Sequence, residues 1–194
     1  YYATATSAEQ ANYAAAASEP AKLTIEKAVP TIALADKTVT YTGAHVAIDE
    51  DGLIPEALEE TITRLRAEGR TIKFLYTVAN YNNPAGVTMS LERRIRVLAI
   101  CKREHILILE DNPYGLLYFD KPGLPALRSM DAENVIYLGS FSKILSPGLR
   151  VGWALAPHAI REKLILAVES SILSPSTFNQ WVVTEYLRQS DWQQ

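Results

Sequence analysis

Three apolar runs, each ending abruptly in a polar loop, constrain this chain more than any other feature. "IKFLYTV" (72–78), "HILILE" (105–110) and "NVIYLG" (134–139) are short, β-rich and nearly continuous in apolar character. Such runs read as strands buried on both faces, the pattern of a parallel sheet. Ahead of the first run lies one helical periodicity, "IPEALEETITRLRAEGR", ending near Gly69, and between the first and second lies another, "SLERRIRVLAICKRE", with Ser90 at its N-cap. A fourth strand, "RVGWALA", precedes two more helices, "PHAIREKLILAVESSIL" with Pro157 at its first position and "STFNQWVVTEYLRQ" capped by Ser176. Upstream, "AHVAIDEDGL" reads as a strand running into an acidic turn. Strand, loop, helix, strand is the α/β rhythm, and ligands of such sheets sit outside the carboxyl ends of the strands.

Composition narrows the function classes. The chain has 194 residues, 48% hydrophobic and 21% charged, enough for one domain with a core. A net charge of −3 predicts neither a nucleic-acid surface nor an anionic membrane partner. Cys101 is the single cysteine, which predicts no internal disulfide and fits a reducing cytoplasmic setting. No segment is long and apolar enough to span a bilayer. His45, His105 and His158 are scattered, so no metal centre is expected. Residues 1–42 are the least readable. "SAEQANYAAAAS" predicts an Ala-rich helix, and short strand pieces are expected around Pro30.

The candidate chemistry lies in the three loops that follow the apolar runs. In "GSFSKILSPGLR", Lys143 sits between two apolar strands with Ser140, Ser142 and Ser146 nearby and Arg150 seven residues on. A partly desolvated amine beside another cation is a nucleophile toward carbonyls. Hydroxyls, a guanidinium and loop amides suit a phosphate. Together they suggest pyridoxal phosphate. Asp111, at the end of "HILILE", is the carboxylate such a cofactor needs at its pyridine nitrogen. Glu110 is a rival, but strand alternation sends it to the other face. Asn83 and Tyr114, in "ANYNNPAG" and "EDNPYG", offer an amide and a phenol for the ring oxygen. Taken singly, Asp111 and Asn83 read equally well as turn formers, and Lys143 as a solvated surface residue.

In order and spacing, "NNPAG", "EDNPYG" and "SFSKILSPGLRVGW" resemble the fold-type I pyridoxal-phosphate aminotransferases, class I and II, nearest the α-aminoadipate and kynurenine aminotransferase branch. The resemblance covers residues 43–194 and implies the large domain of that fold: three layers, α/β/α, around a mostly parallel sheet. It implies that Lys143 carries the cofactor covalently and moves the substrate proton. Asp111 would pair with the ring nitrogen, Asn83 and Tyr114 with the ring oxygen, and Ser140, Ser142 and Arg150 with the phosphate. It also implies an amino acid and a 2-oxo acid as substrates, 2-oxoglutarate among the latter, and a homodimer.

The sequence departs from the family pattern at its ends. Residues 1–42 match poorly: "TSAEQA" (6–11) has Ala8 and Glu9 where a polar, uncharged pair is usual, and Ile32 stands where a ring-stacking tyrosine is common. The small C-terminal domain, with its substrate-carboxylate arginine, has no counterpart, so a partial chain is expected. Two alternatives follow: a cofactor-sensing regulatory module, or a non-catalytic fragment of such an enzyme.

Overall fold

In the computed structural model the chain divides into two compact units, Tyr1–Thr42 and Gly43–Gln194. The structure describes residues 43–118 and 123–190, and within the first unit only four two-residue strands. There β1 (Tyr2–Ala3) pairs antiparallel with β4 (Ala21–Lys22), and β2 (Thr6–Ser7) with β3 (Ala16–Ala17). The helix expected over residues 7–18 lies almost wholly outside the described residues. Those of its residues that are described, Ser7, Ala16 and Ala17, are in strands. Ile32 also lies outside them.

The second unit begins with a tight hairpin, β5 (Ile48–Asp49) against β6 (Gly52–Leu53). Its turn needs glycine at position 52, where φ is +90° and an added Cβ would come within 2.7 Å of the Met89 Cα. Helix α1 (Pro55–Ala67) starts on a proline, whose missing N–H costs nothing at a first turn, and Gly69 (φ +72°) follows its end. Strand β7 (Phe74–Thr77), helix α2 (Leu91–Arg103), strand β8 (Leu107–Asp111), the short helix α3 (Leu127–Met130) and strand β9 (Val135–Ser140) come next. A 3₁₀ turn (Pro147–Leu149), strand β10 (Gly152–Leu155) and helices α4 (His158–Ile172) and α5 (Thr177–Gln189) complete the unit. Ser90 occupies the N-cap of α2, although its side chain makes no cap bond. Ser176 caps α5 by accepting the Asn179 N–H at 3.2 Å. Pro157 sits at the N-cap of α4, one residue before the expected first position.

The four-stranded sheet has the order β10-β9-β8-β7. Strands β7, β8 and β9 are parallel, and β10 runs antiparallel to β9. The connections explain this mixture. The segments leading from β7 to β8 and from β8 to β9 contain helices, as parallel crossovers require, whereas the short loop from β9 to β10 can only reverse the chain. The α/β class and mostly parallel sheet are as expected.

Alternation along the strands sorts the two faces. Leu75, Ile108 and Val135 point to the side where Leu58 and Ile62 of α1 and Val97, Leu98, Ile100 and Cys101 of α2 form the core. Phe74 and Tyr76 point the other way and are 53% exposed. The apolar run "IKFLYTV" predicts burial on both faces, and the structure corrects this for β7: it is an edge strand of the described sheet, and the helix layer of α1 and α2 covers one side. Helix α4 has no buried residue and α5 buries Val183.

At the β9–β10 end the sheet is pinned by an aromatic. The Trp153 ring lies over Gly139, its partner in register, where any Cβ would overlap the indole. It also packs against Phe141, ring centroids 4.7 Å apart. Gly139→Ala is expected to destabilise the fold by about 1–3 kcal/mol by forcing that ring aside. A lowered thermal midpoint checks it.

Candidate functional site

The carboxyl ends of the three adjacent parallel strands carry the three polar loops. On β8 the alternation separates the two carboxylates. Glu110 is fully buried on the helix side and accepts the Leu127 and Arg128 N–H groups, each at 2.9 Å, at the start of α3. Burial pushes its carboxyl up from the usual range, against the pull of those two amides and the Arg94 charge. Asp111 is on the opposite, half-open face, partly buried. Its Oδ2 accepts the Tyr76 hydroxyl at 2.7 Å. Glu110 therefore anchors α3, and Asp111 is the carboxylate that faces outward.

A buried polar chain joins the loops. The Arg94 guanidinium, fully buried, donates to the carbonyls of Met89 (2.9 Å), Pro125 (2.9 Å) and Ala79 (3.1 Å) and to Asn80 Oδ1 (2.7 Å). Asn80 donates to Asn112 Oδ1 (3.1 Å), and Asn112 donates to the Tyr137 hydroxyl (3.3 Å). The loops after β7 and β8 and the body of β9 are thereby held at fixed spacing. Gly115 belongs to this device: a Cβ there would overlap the Asn112 side chain.

The remaining candidates are placed by their loops. After β7, the turn is closed by Asn82 N–H to Val87 O (2.8 Å) and Gly86 N–H to Asn82 O (2.5 Å), with Tyr81 in the left-handed region (φ 49°) and the Asn83–Pro84 bond cis. Asn83 is exposed at its tip, and Tyr114 is partly buried in the next loop. After β9, the Phe141 carbonyl accepts the N–H groups of Leu145 (2.9 Å) and Ser146 (3.0 Å), which folds the Lys143 loop tightly. Ser140 Oγ accepts the Ser142 N–H at 3.1 Å. Register puts Ser140 on the same face as Asp111. Arg150 adopts a left-handed backbone (φ 53°), and the Asn179 amide of α5 donates to the neighbouring Leu149 carbonyl at 3.0 Å. Lys143 and Arg150 are both exposed, so the partial burial expected of the Lys143 amine is not what the structure shows. Its amine is open to an incoming carbonyl instead.

Three residues escaped the sequence reading. Asn80 and Asn112 look like ordinary turn formers in Asn-rich loops. Arg94 carried a usable signal: it stands three and four residues before Val97 and Leu98, in the apolar stripe of α2, where a charge needs buried partners. Among the described residues no group of three or more His, Cys, Asp or Glu is placed to hold a metal, and no helix is long and apolar enough to cross a membrane.

The donor set suits a phosphorylated, nitrogen-bearing aromatic aldehyde: an accessible amine, an outward carboxylate, and hydroxyls with a guanidinium in the adjacent loop. Similarity to known proteins points the same way. A family model described as aminotransferase class I and II matches residues 31–194. The chain is 42% identical over 145 residues to the aromatic-amino-acid aminotransferase 1 of Thermococcus litoralis, covering 74% of this chain and 34% of that protein. It is 39% identical over 152 residues to the mitochondrial kynurenine/alpha-aminoadipate aminotransferase of Bos taurus, covering 75% and 36%. In three dimensions it is similar to the Pyrococcus horikoshii kynurenine aminotransferase, solved in complex with PMP, with KYN as substrates and KYA as products. That match has a TM-score of 0.71 at 36% identity and covers 76% of this chain and 37% of that one. The chain thus spans little more than a third of the length of the curated relatives it matches.

Proposed function

The chain belongs to the class I and II aminotransferase family, and from that premise we propose that it forms the large, cofactor-binding domain of an enzyme that moves an amino group between an amino acid and a 2-oxo acid. The observation that carries this is the placement of Asn83, Asp111 and Lys143 at the carboxyl ends of three adjacent parallel strands, Asp111 as the last residue of β8 and on the outward face, Asn83 and Lys143 in the loops that follow β7 and β9. The cofactor is pyridoxal phosphate, whose aldehyde and electron-withdrawing ring make the substrate α-proton labile when it is bound. PMP, its amine form, is the group named with the Pyrococcus relative.

Each residue then has a task. Lys143 would hold the cofactor aldehyde and, once the substrate amine has taken its place and freed the lysine amine, would take the substrate α-proton as general base and return it as general acid. Asp111 accepts from the ring nitrogen and keeps it protonated. Asn83 and Tyr114 hold the ring oxygen, and Ser140, Ser142 and Arg150 hold the phosphate. The names of the relatives support an aromatic, kynurenine-like or α-aminoadipate-like amino donor, and that of the L-tyrosine:2-oxoglutarate aminotransferase of Serpula lacrymans, 35% identical over 168 residues, supports 2-oxoglutarate as acceptor. Most are enzyme names, one being that of an HTH-type transcriptional regulator of Bacillus subtilis (39% identical over 118 residues), and the balance favours amino transfer over the regulatory alternative. We read the assembly as a homodimer and the setting as cytoplasmic.

Dialysis of the chain against pyridoxal phosphate tests the reading. Retention of one cofactor per chain is expected, with glutamate formed when an aromatic amino acid and 2-oxoglutarate are added. A chain that retains none contradicts it.

A further inference from the structure

Tyr76 stands out on the open face of the sheet. It is 53% exposed, so packing gives little reason for an aromatic there, and the backbone ladder to β8 already fixes its strand. What its side chain does is donate to Asp111 Oδ2 at 2.7 Å. We propose that Tyr76 is a positioning residue for Asp111: its phenol fixes one carboxylate oxygen so that the other is presented to the ring nitrogen of the bound cofactor. The proposal rests on the pyridoxal-phosphate reading above.

Two physical arguments favour this role. The terminal torsion of an aspartate is broad and roughly two-fold, so an outward carboxylate held at one end only by its own backbone rotates freely. A single strong donor on Oδ2 removes that freedom and leaves Oδ1 with its lone pairs to accept. The identity of the donor matters as well. An arginine or lysine would orient the carboxylate but cancel its charge, whereas a neutral phenol orients it and leaves the full negative charge to pair with a protonated ring nitrogen. The phenol remains a donor throughout the physiological range: partial burial, then the Asp111 carboxylate, with a smaller contribution from Tyr114, push it up to about 12.

The test has two arms, one independent of the cofactor. In the unloaded chain, ¹³C NMR titration of the Tyr76 phenol, assigned by its loss in Tyr76→Phe, is expected to give a midpoint near 12 that falls in Asp111→Asn. A midpoint unmoved by Asp111→Asn overturns the contact and the proposal. In the second arm, affinities are measured for pyridoxal phosphate and for its analogue with carbon in place of the ring nitrogen. Tyr76→Phe is expected to weaken pyridoxal phosphate by about fivefold to tenfold and the analogue by less than about twofold, because only the former pairs with Asp111. Equal weakening of both shows a merely structural tyrosine and overturns the proposal. If the wild-type chain binds neither compound, the cofactor reading fails and the proposal with it, a result the first arm distinguishes from loss of the contact.

Discussion

Arg94→Ala is expected to lower the stability of the second unit by about 3–5 kcal/mol. The substitution takes the donor from the buried Met89 carbonyl and Asn80 amide oxygen and from the carbonyl of the exposed Pro125, while the Ala79 carbonyl keeps the Met89 N–H at 2.8 Å. Each unsatisfied acceptor costs about 1–3 kcal/mol, less where water can enter. The loss is a large fraction of the roughly 5–15 kcal/mol that holds a typical domain together. Arg94→Lys restores only part of it, since one ammonium cannot span four acceptors that a planar guanidinium reaches in different directions. Urea unfolding of the three proteins measures this; a loss under about 1 kcal/mol for the alanine variant contradicts the network. Binding is affected too, because Asn80 and Asn112 carry the link from Arg94 to the loops of Asn83 and Asp111.

Lys143→Ala is expected to abolish covalent cofactor attachment and to lower any amino-transfer rate by at least about a thousandfold, the size expected when nucleophile and proton carrier are removed together. Folding should be unchanged, because Lys143 is exposed and its loop is held by the Phe141 carbonyl and the Asn179 amide rather than by the lysine. The variant therefore separates chemistry from stability: an unaltered thermal midpoint is expected beside the lost attachment.

Much of this fold was legible because strand and helix periodicities differ and because its punctuation is conventional. The run at 72–78 contains an observed strand, those at 105–110 and 134–139 coincide with strands that end one residue beyond them, and Ser90 and Ser176 stand at helix starts. The site loops were legible by position, since each follows a parallel strand, and alternation separated Asp111 from Glu110. What the sequence does not carry is cross-strand partnership. Nothing in "IKFLYTV" says that the hydroxyl of Tyr76 meets a carboxylate 35 residues on, because the contact depends on register between strands. Asn80 and Asn112 were hidden for the same reason: an Asn in a turn and an Asn in a buried network are written alike. Apolar content misled for β7, where a run that reads as doubly buried has one face open.

The central claim is that Lys143 binds the cofactor aldehyde. Loading the chain with pyridoxal phosphate, reducing it with borohydride and mapping peptides by mass tests this most directly. The expected result is one added phosphopyridoxyl mass on the peptide containing Lys143, absent in Lys143→Ala. A label on another lysine, or a visible absorbance band that survives Lys143→Ala, would contradict it.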